Sequence, residues 1–185
     1  QYTPLVLTPN DQSECRAIIA ETSGPVWIGT DRRCVAVGPV AADGSIQSIP
    51  VAADLPVQKL DFLLASQQGG FWRLADGRIQ KWRGGLMERD WGAYPWGPIK
   101  VTAACEDREG NLVVGTLGAG LFWFDGEGKV STLSTNEGLS HNLVLALRRD
   151  FEGNLWVGTD GGGLNRIKRQ AFETLAESQG MVVQS

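Results

Sequence analysis

The sequence predicts an all-β fold of β-propeller blades, four-stranded antiparallel meanders, forming a partial propeller of about four blades from a larger ring. Three observations carry this. Four segments superimpose on one another: GPVWIGTDRRCVAV at 24–37, GGFWRLADGRIQKW at 69–82, GNLVVGTLGAGLFWF at 110–124 and GNLWVGTDGGGLNRI at 153–167. Their equivalent positions Trp27, Trp72, Val113 and Trp156 are 45, 41 and 43 residues apart, close to the ~40–45-residue period of four-stranded propeller blades. Nothing in the chain keeps a 3.6-residue apolar period long enough for a helical crossover, so the strands must join as antiparallel meanders.

Taken in order, the chain divides into blades at 15–50, 58–92, 99–135 and 143–176. PLVLTP at 4–9 resembles an outer strand, so 1–9 is expected to close a preceding blade, and 177–185, with MVVQS at its end, is expected to open a following one. A closed four-bladed ring is the alternative, since propellers run from about four blades to eight. The last unit reads most clearly. LVLALRRD (143–150) is apolar and strand-like, and Phe151 to Asn154 form a tight turn. LWVGT (155–159) is β-branched and aromatic, Asp160 and three glycines turn the chain into LNRIK (164–168), and AFETL (171–175) supplies the outer strand.

The repeated residues have physical roles. Gly110 and Gly153 fall where the first hairpin of a blade needs positive φ. Gly29, Gly115 and Gly158 follow the apolar residues of the second strand, where the lack of a side chain lets neighbouring blades approach. Asp107 and Asp150, each followed by x-x-Gly-Asn, suit hairpin caps in which a carboxylate accepts backbone N–H groups. Trp27, Trp72 and Trp156 recur once per blade, as inter-sheet packing does.

Composition narrows the function. Seventeen Lys and Arg against 21 Asp and Glu give a net charge of −4, so nucleic acid is not an expected partner, because binding it needs a concentrated basic face. Arg166, Lys168 and Arg169 read as a solvated strand edge. No run approaches the ~18 apolar residues of a membrane helix, and no membrane contact is expected. Cys15, Cys34 and Cys105 lack the spacing of a zinc or redox pair and are expected as small buried hydrophobes.

The strings at 106–121, 136–164 and 20–30 resemble the two-component regulator propeller repeat, whose pattern is approximately GL-x-x-N-x-V-x-x-[LI]-x-x-D-x-x-G-N-[LI]-W-[VI]-GT-x-x-GGL. Residues 138–164 match it almost throughout. The blade around Trp72 departs from it, with Arg73-Leu74 in place of the Val-Gly-Thr run, and the blade around Val113 lacks the Trp. The resemblance implies the periplasmic or extracytoplasmic sensor region of a bacterial signalling protein, often a hybrid histidine kinase that responds to glycans. The motif is structural and carries no binding residues with it.

No catalytic residue, metal site or cofactor is expected. The one histidine, His141, lies in a turn, GTDGGGL lacks the Lys and following helix of a phosphate loop, and repeated turn carboxylates do not face one another as glycosidase acids must. The candidate ligand contacts are Trp91, Tyr94 and Trp96, in a Gly/Pro-rich connection between blades, with Arg32, Arg33, His141 and Asp160 on the same rim. The leading expectation is therefore a non-catalytic sensor segment with an oligosaccharide or other small ligand as partner. The remainder of a larger propeller or a second copy of the chain, as a dimer, is expected to cover its exposed blade faces. A protein-interaction scaffold is the second reading and a carbohydrate-active enzyme the third.

Overall fold

The computed structural model describes residues 13–21, 25–38, 55–168 and the backbone of 182–184. It holds four four-stranded antiparallel sheets in two compact units, Gln1–Gly97 and Pro98–Ser185. The all-β blade fold read from the repeats is what the chain adopts.

In the first unit one sheet runs β1 (Cys15–Ala20), β2 (Val26–Thr30), β3 (Arg33–Val37), β4 (Leu55–Pro56), each strand beside the next. The second runs β5 (Leu60–Ala65), β6 (Phe71–Ala75), β7 (Arg78–Arg83), β8 (Leu86–Ala93). Between them lies a core of Trp27, Cys34, Leu55, Val57, Leu63 and Phe71, with the Trp27 and Phe71 ring centroids 4.6 Å apart. Each such fully buried side chain contributes about 1.5–3 kcal/mol. Gly29 permits this approach: a Cβ there would collide with Leu60 Cδ2 and lie 2.6 Å from Leu63 Cδ1 of the following blade.

The second unit contains β9 (Val101–Glu106), β10 (Leu112–Thr116), β11 (Leu121–Phe124) and β12 (Val130–Leu133) in one sheet. The other contains β13 (Val144–Arg149), β14 (Leu155–Thr159), β15 (Gly163–Lys168) and β16 (Val182–Gln184). Val113, Leu121, Leu133, Leu139, Val144, Leu155, Val157 and Ile167 make the shared core. Gly115 repeats the role of Gly29, its missing Cβ lying 2.6 Å from Val144 Cγ1 of the next blade.

All four blades close their first hairpin alike. The N–H of Glu21, Ser66, Asp107 and Asp150, each six residues before the repeat position, donates to the carbonyl of Pro25, Gly70, Asn111 and Asn154 respectively. Gly110 and Gly153 take φ of 84° and 87° there, as the turn requires. The second turn is held by the GT threonines. Thr30, Thr116 and Thr159 donate their hydroxyls to the carbonyls of Arg33, Gly120 and Gly163.

Three readings of the sequence are corrected. Val182–Gln184 pair with β15 and complete the fourth sheet, where the opening of a following blade was expected; a Val-Val pair in a short run reads as a strand in either place. The first blade extends past residue 50, because its fourth strand is Leu55–Pro56. Trp91 belongs to β8; its Gly neighbour suggested a turn, but register shifts along β7 and β8 absorb the irregularity as a bulge. The expected outer strands at 1–9 and 171–175 lie outside the described residues.

The departure at Arg73-Leu74 has a local explanation. Arg73 is buried, and its guanidinium donates to Gln80 Oε1 at 2.6 and 3.2 Å and sits 4.8 Å from the Trp82 ring centre. Gln80 donates in turn to Asp90, which Arg78 also holds at 3.0 Å. A paired polar network thus replaces apolar packing at that strand.

Candidate functional site

The turns between second and third strands, and the connections entering each first strand, form one edge of every blade. They are stitched alike: the N–H of Asp31, Asp76, Leu117 and Asp160 donates to the carbonyl of Glu14, Lys59, Lys100 and Leu143. The expected contact residues stand on these turns or on the strands beside them, and each unit positions its own set.

In the first unit, Thr30 accepts the N–H groups of Arg32 and Arg33, and the Asp31 carboxylate accepts the Glu14 N–H at 3.0 Å. This fixes the turn and leaves the Arg32 side chain 69% exposed, 3.9 Å from Asp31. Arg33 is half-buried on β3 opposite Pro56. The aromatic group is more internal than its sequence suggested. Trp91 lies 4.4 Å from the Trp72 ring, Trp96 is 5% exposed, and Tyr94 stacks on Trp96 at 4.7 Å. The Tyr94 hydroxyl donates to Asp61 at 3.0 Å; burial, with the Asp61 carboxylate beside it, pushes its phenol far above the usual range. Tyr94 is therefore a neutral, fixed donor, and Trp91 and Tyr94 keep partly open surfaces.

In the second unit, His141 and Asp160 meet at Leu143. His141 Nδ1 accepts the Leu143 N–H at 3.1 Å, and Asp160 donates its own N–H to the Leu143 carbonyl at 2.9 Å. In the first two blades the equivalent N–H groups, of Glu14 and Lys59, go to the carboxylates of Asp31 and Asp76. His141 takes over that acceptor role, and the exposed Asp160 carboxylate is not used for it. Gly162 makes room: a Cβ there would lie 2.8 Å from that of His141.

Beneath them is a network that sequence reasoning missed. Asn165, fully buried, accepts the Ser140 N–H at 3.0 Å and donates to the Ser140 hydroxyl at 2.7 Å, which lies 3.0 Å from Thr159 Oγ1. The only signal was a polar residue at an inward position of LNRIK. The turn before it is built from the GL-x-x-N string. Ser134 and Glu137 form a capping box on the 3-10 helix Thr135–Glu137, Gly138 ends it at φ 104°, and Asn142 accepts the Thr135 N–H.

Each conspicuous residue of that stretch, from Gly138 through Asp150 and Asn154 to Thr159, thus has a structural bond. Residues 138–161 match the family model described as two component regulator propeller. That stretch of the last blade is similar to the family's repeat. No curated protein sequence matches the chain.

Among solved structures, the chain is similar to the extracellular domain of a protein named as a hybrid two component system, BT3049 of B. thetaiotaomicron. The TM-score is 0.67 at 19% identity, over 89% of this chain and 23% of that one. It is similar also to the extracellular domain of a protein named as a one component system, BT4673 of the same organism. There the TM-score is 0.60 at 20% identity, over 85% and 21% of the two chains. Virginiamycin B lyase from Staphylococcus aureus gives a TM-score of 0.63 at 14% identity, over 96% of this chain and 57% of the lyase. The chain thus spans less than a quarter of the two signalling proteins' domains. These likenesses show the propeller fold, which the regulator propeller repeat and the two extracellular domains share with a lyase.

Among the described residues, no cluster of three or more His, Cys, Asp or Glu is placed to hold a metal ion, and no helix is long and apolar enough to cross a membrane.

Proposed function

We propose that this chain is a non-catalytic, ligand-sensing propeller segment of a bacterial two-component regulator, working outside the cytoplasm with an oligosaccharide as its ligand. The observation that supports this is the division of labour within the regulator propeller repeat. Its motif residues are consumed by turns and caps, so what differs from blade to blade is the edge: Arg32 in one blade, Trp91 and Tyr94 in the next, His141 and Asp160 in the last. The half-open rings of Trp91 and Tyr94 suit the C–H faces of sugars, and exposed Arg32 in the first unit and Asp160 in the second suit their hydroxyls, each unit offering its own contacts.

A lyase shares the fold. A histidine-to-alanine form of that lyase is named as catalytically inactive. Here the one histidine, His141, has its Nδ1 engaged by the Leu143 N–H in a turn, which supports a structural place for it over a catalytic one.

The segment works joined to further blades, from the rest of a longer chain or from a second copy. Gly158 stands where Gly29 and Gly115 each receive the first strand of the next blade, yet among the described residues only Ala146 of its own blade lies within 4 Å of a Cβ built there. Thermal-shift screening with neutral oligosaccharides tests the proposal. A saturable rise in melting temperature, lost in W91A or R32Q, is expected. No response to any glycan, or turnover of one, overturns it, and tight association with a protein in place of a glycan response would favour a scaffold.

A further inference from the structure

On the opposite edge of the second unit, between the first hairpins of its two blades, lies a cleft of about 380 Å³. Its lining includes Asp107, Arg108, Glu109, Trp123, Glu152 and Lys168. Its size falls within the ~300–1,000 Å³ range of small-molecule pockets. None of the residues named for the sensing edge takes part in it.

The charges lining the cleft are unequal in availability. Asp107 spends one oxygen on the N–H groups of Glu109 and Asn111 and the other on the Asn111 amide and the Trp123 indole. Glu109 and Glu152 each accept from a neighbouring Asn amide, at 3.2 and 3.1 Å. The cations are different. Arg108 and Lys168 are both exposed, and neither has an ion pair or side-chain hydrogen bond among the described residues.

The Arg108 stem runs beside the next blade's turn, with Cδ 3.3 Å from where a Gly153 Cβ would stand. Arg149 donates to the Asp107 carbonyl at 3.2 Å and ties the end of β13 to the hairpin that carries Arg108. A half-buried Trp123, its N–H already engaged, offers the cleft only its ring.

We propose that this cleft binds a small carboxylate carried on a ring, the carboxylate meeting Arg108 and Lys168 and the ring lying against Trp123. Arg supplies the two-pronged donor that a carboxylate fits, Lys a second positive charge, and an indole face packs against a pyranose or an aromatic ring alike. Such a ligand would bridge two successive blades.

Isothermal titration of the whole chain with glucuronate and with benzoate, each beside an uncharged counterpart, glucose and benzyl alcohol, tests this and tells the two sources of the ring apart. Saturable binding of at least one acid, at least tenfold tighter than its counterpart, is expected. R108Q and K168Q should each weaken it about tenfold without lowering the melting temperature, since neither side chain supports the fold. Equal affinity for acid and counterpart, unchanged affinity in both variants, or no saturable binding of either acid overturns the proposal. A neutral glycan response lost in W91A belongs to the other edge, so either reading can fail while the other stands.

Discussion

The indole N–H of Trp123 donates to Asp107 Oδ2 at 3.0 Å, as Trp156 donates to Asp150 Oδ2 at 2.8 Å, although the two rings stand on different strands. Trp156 is on the second strand of its blade; Trp123 is on the third, directly across from Val113, which occupies the repeat position. The blade that lacks the motif Trp has moved the ring one strand over and kept its bond to the turn. Glu21 does the same for Trp27 at 2.6 Å, while its other oxygen accepts the Gly70 N–H of the next blade.

Asp107 is buried and serves four donors, so D107A is expected to cost about 2–4 kcal/mol in urea denaturation, since the N–H groups it leaves cannot all reach water. A loss below about 1 kcal/mol would show that water replaces the carboxylate and that the Trp123 contact is incidental.

Gly115 and Gly158 are equivalent in sequence and unequal in surroundings. A Cβ on Gly115 would stand 2.6 Å from Val144 Cγ1, whereas on Gly158 the nearest atom among the described residues is Ala146 Cβ at 3.7 Å. Neither has positive φ, so strain is not the difference. G115A is expected to destabilise by about 1–3 kcal/mol through overpacking, and G158A to stay within about 0.5 kcal/mol. Equal melting temperatures for the two variants would remove blade approach as the reason for these glycines.

The Asn154 amide, followed by the Trp156 indole and the N–H groups of Asn154 and Glu152, outweighs the opposing effect of desolvation and holds the Asp150 carboxyl down to about 2. A carboxylate lowered in the folded state stabilises it fully above the ordinary value near 3.8. That contribution is lost as pH falls from there toward 2. The Trp156 indole N–H resonance, followed by NMR, is expected to titrate near pH 2 in the native chain and nearer 4 in N154A. A midpoint near 4 in the native chain would contradict the cap.

The blades were legible because their signal is local: a glycine that must take positive φ, an Asp four residues before the Asn it holds, a Thr that closes the next turn. The pairs that escaped are those the chain brings together from afar. Trp123 is 16 residues from Asp107 and Asn165 is 25 from Ser140, and no period links either pair. The aromatic string at 90–100 reads equally as a ligand platform and as a plug packed between blades, since Gly and Pro mark a turn without saying which way rings face. Trp96 is buried, whereas Trp91, beside Trp72, and Tyr94, bonded to Asp61, keep part of their surface open. The cleft beside Arg108 was invisible because its lining comes from two turns and the ends of two other strands.

The three thiols should differ in reactivity, although the sequence suggested one buried role for all. Cys34 is fully buried and Cys15 exposed. Burial, reinforced by the Asp107 carboxylate, pushes the Cys105 thiol up to about 12. The thiolate is the nucleophile, so at pH 8 Cys105 stays protonated and inert even where solvent reaches it. Iodoacetamide at that pH, read by peptide mass spectrometry, is expected to modify Cys15 first and to reach Cys34 and Cys105 only after denaturation. D107A separates the two causes of protection at Cys105: if charge contributes, labelling there should accelerate while Cys34 stays protected. Equal acceleration at both would mean that the variant had opened the fold, and rapid labelling of Cys105 in the native chain would contradict its burial against β10.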